Sequence, residues 1–195
     1  LREEQIKDAF FHVRYIGPDG TLHFRYPEKA KALTERVHRE APGVRAVAWI
    51  YAENKPGEFF VDVADPKIRQ AMVAEAVWLV RECGFDGVQW DYEVIKRNDP
   101  HLLKLLEDTR AALPDTLLSV CTPPWYPKPV VWFYGWDEAY SAKVAARCDQ
   151  LAVMGYDTGM PLPRAYVWLM RGQVVHVTRA ARGNPDCRVL IGLPT

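Results

Sequence analysis

Short runs of β-branched, aromatic and other apolar residues alternate with helical stretches along the whole of this chain, and that alternation constrains the fold more than any single motif. Residues 9–15, 44–51, 88–93, 117–121, 150–156 and 188–192 have strand character. Pro27 opens a helix to about residue 41, and further helices are expected up to about residue 146 and over about 164–181. Asp65-Pro66 and Asp99-Pro100 each place a capping carboxylate before a proline at the first helical position. Behind the first, Ile68, Met72, Val73, Ala76, Val77 and Val80 fall on one helical face; behind the second, Leu102, Leu103, Leu105, Leu106 and Leu113 do so. Strands separated by helices build a parallel sheet covered by helices. Two architectures satisfy this α/β pattern, an open doubly wound sheet and a closed (β/α)8 barrel of the TIM type. A complete barrel takes about 250 residues and eight strands, so a chain of 195 residues would form an incomplete one of about six βα units. Gly17-Pro18-Asp19-Gly20 is a turn that lacks the spacing of a glycine-rich phosphate loop, which counts against a nucleotide-binding open sheet.

With 49% apolar and 12% aromatic residues, the chain can bury one substantial core, so a single domain over 1–195 is expected. Lys and Arg number 25, as do Asp and Glu, and no dense basic run is present, which argues against nucleic acid as a partner. No apolar segment approaches the roughly 18 residues of a membrane span, and Leu1-Arg2-Glu3-Glu4 lacks the apolar core of a signal peptide. Because the sequence starts at Leu1, that absence says nothing about compartment, and nothing in the chain sets an oligomeric state. The dispersed Cys83, Cys121, Cys148 and Cys187 read as buried free thiols. The five histidines show no metal-ligand spacing, so neither a metal nor a cofactor is expected.

The segment Gly84-Phe85-Asp86-Gly87-Val88-Gln89-Trp90-Asp91-Tyr92-Glu93 carries the chemistry. Side chains alternate along a strand, so Gln89, Asp91 and Glu93 point one way while Val88, Trp90 and Tyr92 point the other. Alternation alone fits an ordinary half-solvated strand equally well. Glu93, however, falls at the carboxyl end of a strand in a βαβ unit, where parallel α/β folds meet their ligands. Asp91 and Glu93 are the candidate working carboxylates, and Asp86 shapes the turn into the strand.

Residues 86–93 resemble the Asp-Gly-x-Asp-x-Asp-x-Glu signature of family 18 glycoside hydrolases, the chitinase-like enzymes, with Gln89 in place of the central aspartate. Met154-Gly155-Tyr156-Asp157 is similar to the Met-x-Tyr-Asp pattern that ends the family's sixth strand. The resemblance runs from the second to the seventh strand and favours the barrel, lacking about one strand at each end. It departs at Gln89, at Trp49-Ile50-Tyr51-Ala52-Glu53, where the family's small residues are absent, and at the missing eighth strand. It implies cleavage of β-linked N-acetylglucosamine glycans, chitin- or peptidoglycan-like, by a retaining route in which the substrate's acetamido oxygen attacks. An extracellular or cell-wall setting is also implied.

By this resemblance Glu93 is the acid, Asp91 orients the acetamido group and Tyr156 holds its oxygen, with Gln89, Met154 and Asp157 lining the substrate site. A like charge at Asp91 and partial burial should raise the Glu93 pKa. The Gln89 amide can donate a hydrogen bond to Asp91, which predicts an Asp91 ionised to lower pH. Trp49, Trp125, Tyr126, Trp132 and Trp136 are candidate sugar-stacking surfaces, Trp125 and Tyr126 foremost because their proline-rich loop follows a strand's carboxyl end. The alternatives are a catalytically silent glycan-binding protein on the same fold and an unrelated barrel glycosidase with two protein carboxylates.

Overall fold

The computed structural model of the chain describes residues 6–93, 98–127, 135–156 and 162–193. Among the described residues six strands alternate with five helices: β1 (Asp8–Ile16), α1 (Pro27–Glu40), β2 (Arg45–Glu53), α2 (Pro66–Arg81), β3 (Gly87–Glu93), α3 (Pro100–Ala112), β4 (Leu117–Thr122), α4 (Glu138–Ala145), β5 (Gln150–Met154), α5 (Pro163–Ala181) and β6 (Arg188–Gly192). Asp65 and Asp99 cap their helices as the sequence predicts, each accepting a backbone N–H two residues on at 2.8 Å. Asp137 caps α4 through the N–H of Tyr140, a start signal not recognised in the sequence.

All five strand pairings are parallel and the order is β1-β2-β3-β4-β5-β6. A doubly wound sheet reverses its strand order at a switch point; this one never does. The sheet also curls. Asp8 on β1 accepts from Gln150 on β5 at 2.8 Å and from Arg188 on β6 at 3.1 Å, as well as from Arg45 on β2 at 2.6 Å. First and last strands can share one carboxylate only if the wall wraps around a lumen, so the fold is a partial (β/α)8 barrel whose floor is closed by this cluster.

The main core fills the space between the outer face of the sheet and the helices. Ala46, Ala48, Ile50 and Ala52 of β2, Val88, Trp90 and Tyr92 of β3 and Leu151 and Val153 of β5 all enter it. Their strand neighbours face the lumen. Gly87 has a steric reason: a Cβ there would come within 2.7 Å of Leu117 Cβ and 2.8 Å of its carbonyl, so only glycine lets β3 and β4 enter side by side. The four cysteines are buried and unbridged, as expected, with the Cys148 and Cys187 sulfurs 4.0 Å apart. No helix among the described residues is long and apolar enough to cross a membrane.

Candidate active site

On β3 the two faces separate as alternation predicts. Trp90 is fully buried, and its indole N–H donates to Thr109 Oγ1 on α3 at 3.1 Å. Gln89, Asp91 and Glu93 occupy the lumen face at three depths: the first two are 5% and 4% exposed, while Glu93 is half-buried at the open end. Asp86, just before the strand, accepts the Ala46 N–H at 2.7 Å and lies 2.8 Å from His38 Nε2, a joint between β2, β3 and α1.

Register brings the neighbours into rows. Trp49 on β2 is level with Gln89 and with His12 on β1; Tyr51 is level with Asp91; Glu53 is level with Glu93. Trp49 Nε1 donates to Asp91 Oδ2 at 2.8 Å, and its ring meets His12 edge to face at 5.2 Å. Gln89 does not bond to Asp91. Its Oε1 accepts instead from Ser119 Oγ on β4 at 3.0 Å, so the expected Gln89–Asp91 hydrogen bond is replaced by one to the neighbouring strand.

Asp91 Oδ1 is buried without a hydrogen-bond partner. The Cys121 thiol stands beside the carboxylate, and a thiol is a weak donor. Burial raises the Asp91 pKa and outweighs the lowering by Trp49, Cys121 and His12. The expectation that Asp91 stays ionised to lower pH is therefore reversed, because desolvation is the larger effect. Glu93 is raised too, first by burial and then by the Asp91 charge, as the sequence led us to expect. The Cys121 thiol is pushed well up by burial and by Asp91, so it stays protonated. Tyr51, level with Asp91 and two residues before Glu53, is likewise raised, first by burial and then by Glu53, Glu93 and Asp91.

Tyr156 and Met154 lie at the same end of the sheet, on or just past β5. Met154 is half-buried and level with Gly192 of β6; the exposed Tyr156 ring lies over that glycine, where a Cβ would come within 3.1 Å of it. Asp157 and Trp132 fall outside the described residues. Three aromatic candidates are placed differently from expectation. The ring of Trp125 packs on α5, stacked on His176 at 4.1 Å, and a Cβ on Gly172 would come within 2.4 Å of it. Gln173 clamps its backbone from both sides, so distant α5 holds this loop residue against the core. Trp136 is core, edge to face with Tyr140 at 5.1 Å. Trp49 spends its indole N–H on Asp91. Tyr126 is half-buried in the same loop as Trp125.

His12, Tyr51, Ser119 and Cys121 are site residues that the sequence reading missed. Lumen-facing parity along β2 and β4 would have found Tyr51, Ser119 and Cys121; His12 needed the register of β1. A cavity of about 160 Å³ lined by Phe11, Leu33, Trp78 and Leu79 lies on the helix side of β1, away from the carboxylates. Among the described residues no three His, Cys, Asp or Glu are grouped to hold a metal.

A parallel barrel wall that carries two adjacent acids at a strand's carboxyl end has the layout of a glycosidase-like protein, and the family match agrees. The chain belongs to the glycosyl hydrolases family 18, whose model matches residues 5–181. Among solved structures it is similar to ydhD of Bacillus subtilis, assigned as a sporulation-specific glycosylase (TM-score 0.77, 20% identity, 98% of this chain and 65% of that one). It is also similar to a chitinase from Bacteroides thetaiotaomicron (0.75, 19%, 96% and 59%) and to the Group IV chitinase of Ostrinia furnacalis (0.73, 16%, 96% and 58%). At these identities the likeness is one of fold. The chain spans less than two thirds of the length of these structures, and no curated protein matches it.

Proposed function

We propose that this chain is the catalytic part of a glycosidase that cleaves β-linked N-acetylglucosamine glycans with retention of configuration, assisted by the substrate's own acetamido group. The observation that carries the reading is the pairing of a half-buried Glu93 of raised pKa with an Asp91 that has one oxygen fixed by Trp49 and the other buried and unpartnered.

Glu93, its pKa raised by burial and by Asp91, gives its proton to the glycosidic oxygen as the bond to C1 breaks. The acetamido carbonyl oxygen attacks C1 from the opposite face, closing a positively charged oxazolinium ring, so no protein nucleophile is needed. Its N–H is the natural donor to Asp91 Oδ1, which would otherwise remain a buried acceptor without a partner. The ionised Asp91 also balances the charge on the ring. Tyr156 donates to the acetamido oxygen. Glu93, now a carboxylate, takes a proton from water as it opens the ring at C1, which regenerates the acid.

A second reading has one observation in its favour. Glu53 lies level with Glu93 on the lumen face, so a two-carboxylate route has a candidate partner. Hydrolysis of N-acetylglucosamine oligomers by the full-length protein, beside their 2-hydroxyl analogues and the Glu93→Gln variant, tests both. Substrate assistance predicts cleavage of the acetamido sugars alone, lost in Glu93→Gln. Cleavage of both sugars moves the nucleophile to Glu53, and binding without cleavage makes the protein a glycan-binding relative.

A further inference from the structure

Two cysteines that the proposed reaction does not use meet at the amino ends of β5 and β6, the opposite end of the sheet from Glu93. Cys148 lies between α4 and β5 and Cys187 between α5 and β6, and their sulfurs are 4.0 Å apart within the core. They are 2% and 7% exposed. Cys83 follows α2, and Cys121 stands on β4 beside Asp91. Among the described residues, Cys148 and Cys187 are the two whose sulfurs touch.

The backbones that carry them are already locked together. One residue past each cysteine, the Arg188 N–H donates to the Asp149 carbonyl at 2.8 Å, and parallel pairing begins at Gln150 and Arg188. Asn184 clasps the two turns: its side-chain amide donates to the carbonyls of Ala145 and Cys148 at 2.9 and 3.3 Å, and its own carbonyl accepts the Cys187 N–H at 3.1 Å. A disulfide needs its two Cα atoms about 4.4–6.8 Å apart. Positions one residue out of register on chains about 4.8 Å apart meet that condition. Closing the bridge shortens the sulfur separation to about 2.05 Å, which side-chain rotation can supply while the hydrogen-bonded backbone stays in place.

The two thiols are unequal. Hydrogen bonding from the Cys148 thiol holds the Cys187 pKa below the usual thiol range, with burial acting against it, whereas the same contact and burial push Cys148 up. Cys187, the more exposed of the two, is therefore the attacking thiolate and Cys148 the resolving thiol. We propose that Cys148 and Cys187 form an oxidation site that reacts with a small peroxide, hydrogen peroxide being the simplest, and closes into a disulfide that braces the floor of the barrel. First the Cys187 thiolate attacks a peroxide oxygen and the O–O bond breaks, leaving a sulfenic acid on Cys187 and a hydroxide that takes up the proton Cys187 had lost. The Cys148 sulfur then attacks the Cys187 sulfur, the S–O bond breaks, and the departing hydroxide leaves with the Cys148 proton as water. Two thiols lose two electrons and the peroxide becomes two waters. The bridge closes a loop that contains all of β5 and α5, so it restricts the unfolded chain and fastens this βα unit to its neighbours. The inference stands apart from the glycosidase reading.

The test uses the full-length protein, reduced with dithiothreitol, freed of reductant and then exposed to hydrogen peroxide. Peptide mass mapping should find Cys148 linked to Cys187 with the loss of two hydrogens, reversed by fresh dithiothreitol, while Cys83 and Cys121 still alkylate after unfolding. Oxidation should raise the melting midpoint by about 3–10 °C. Cys187→Ala, which lacks the attacking thiol, should melt at the same temperature before and after peroxide. Cys148→Ala should stop at the Cys187 sulfenic acid, trapped as its dimedone adduct. Free thiols at both positions in the folded, peroxide-treated parent overturn the proposal, as does a bridge from either one to a different cysteine. Linkage without a rise in melting overturns the brace. Should a variant fail to fold, mapping and melting of the parent decide alone.

Discussion

Replacing Trp49 by phenylalanine keeps an aromatic ring against His12 and removes one hydrogen atom that matters, the indole N–H given to Asp91 Oδ2 at 2.8 Å. A hydrogen bond to a charged group contributes about 1.5–3 kcal/mol, and Asp91 is too buried for water to replace it. Less the about 1 kcal/mol that the protonated form also loses, that energy moves the carboxyl's midpoint up by about half to one and a half pH units. The sign follows from the direction already present. Burial raises the folded pKa of Asp91 above its unfolded value, so its ionised form opposes folding at neutral pH, and the penalty is relieved as pH falls through the folded pKa. Trp49→Phe enlarges that penalty. Urea denaturation should therefore find the variant less stable at about pH 7 by about 1.5–3 kcal/mol beyond its packing loss, with that difference shrinking to about 1 kcal/mol as pH falls through the raised Asp91 pKa and the lost bond becomes an ordinary neutral one. Packing loss from the smaller ring is independent of pH and drops out of the comparison. An equal loss at both pH values would refute the claim that Trp49 supports an ionised Asp91.

Glu93→Gln should lower hydrolysis at least about a hundredfold without unfolding the protein. Activity of the parent should fall as pH rises through the elevated Glu93 pKa, since only the protonated acid works; a pH–rate profile without that limb removes Glu93 from the role. Asp8→Asn should cost about 1–2 kcal/mol at pH 7, after discounting for the partial exposure of Arg45 and Arg188. The bonds from Arg45 and Gln150 outweigh burial and hold the Asp8 pKa below its usual range, so the cost should vanish as pH falls through that lowered pKa; a pH-independent cost would mean the charge is idle. Gly172→Ala drives a Cβ to 2.4 Å from the Trp125 ring and should destabilise by about 1–3 kcal/mol, and no change in melting would deny Trp125 its place under α5. Gln89→Asp adds a carboxylate at a site 5% exposed, near a buried Asp91, and should lose stability above neutral pH relative to acid; the opposite trend would show that the row is better hydrated than its burial implies.

Local chemistry was legible in the sequence. The Asp65 and Asp99 caps, the two faces of β3 and the burial of the cysteines depend on residues a few positions apart, and the alternation of elements already pointed to a parallel sheet. Contacts set by register or closure were not. Tyr51 and Cys121 reach the carboxylates only through strand pairing. Trp125 looked available on its loop because the glycine that receives its ring lies on α5, distant in the chain. Asp8 gave no sign that it would meet Arg188 from the last strand.

The same register explains why an amide can stand at position 89. The lumen is layered: charged at the floor, where Asp8 meets two arginines, and acidic at the rim, where Asp91 and Glu93 stand. Gln89, Ser119 and Gln150 occupy the row between, level with one another across β3, β4 and β5. Three carboxylates along one strand would put two buried charges on adjacent same-face positions, and neither could ionise fully without the other holding a proton. The amide removes that coupling. It fills a similar space and pairs with Ser119, and it leaves the environment of Asp91 to Trp49, Cys121 and His12. Proton sharing along β3 is thereby reduced to one neighbouring pair, Asp91 and Glu93, in which the deeper acid raises the pKa of the shallower one at the open end, where a substrate oxygen can reach it.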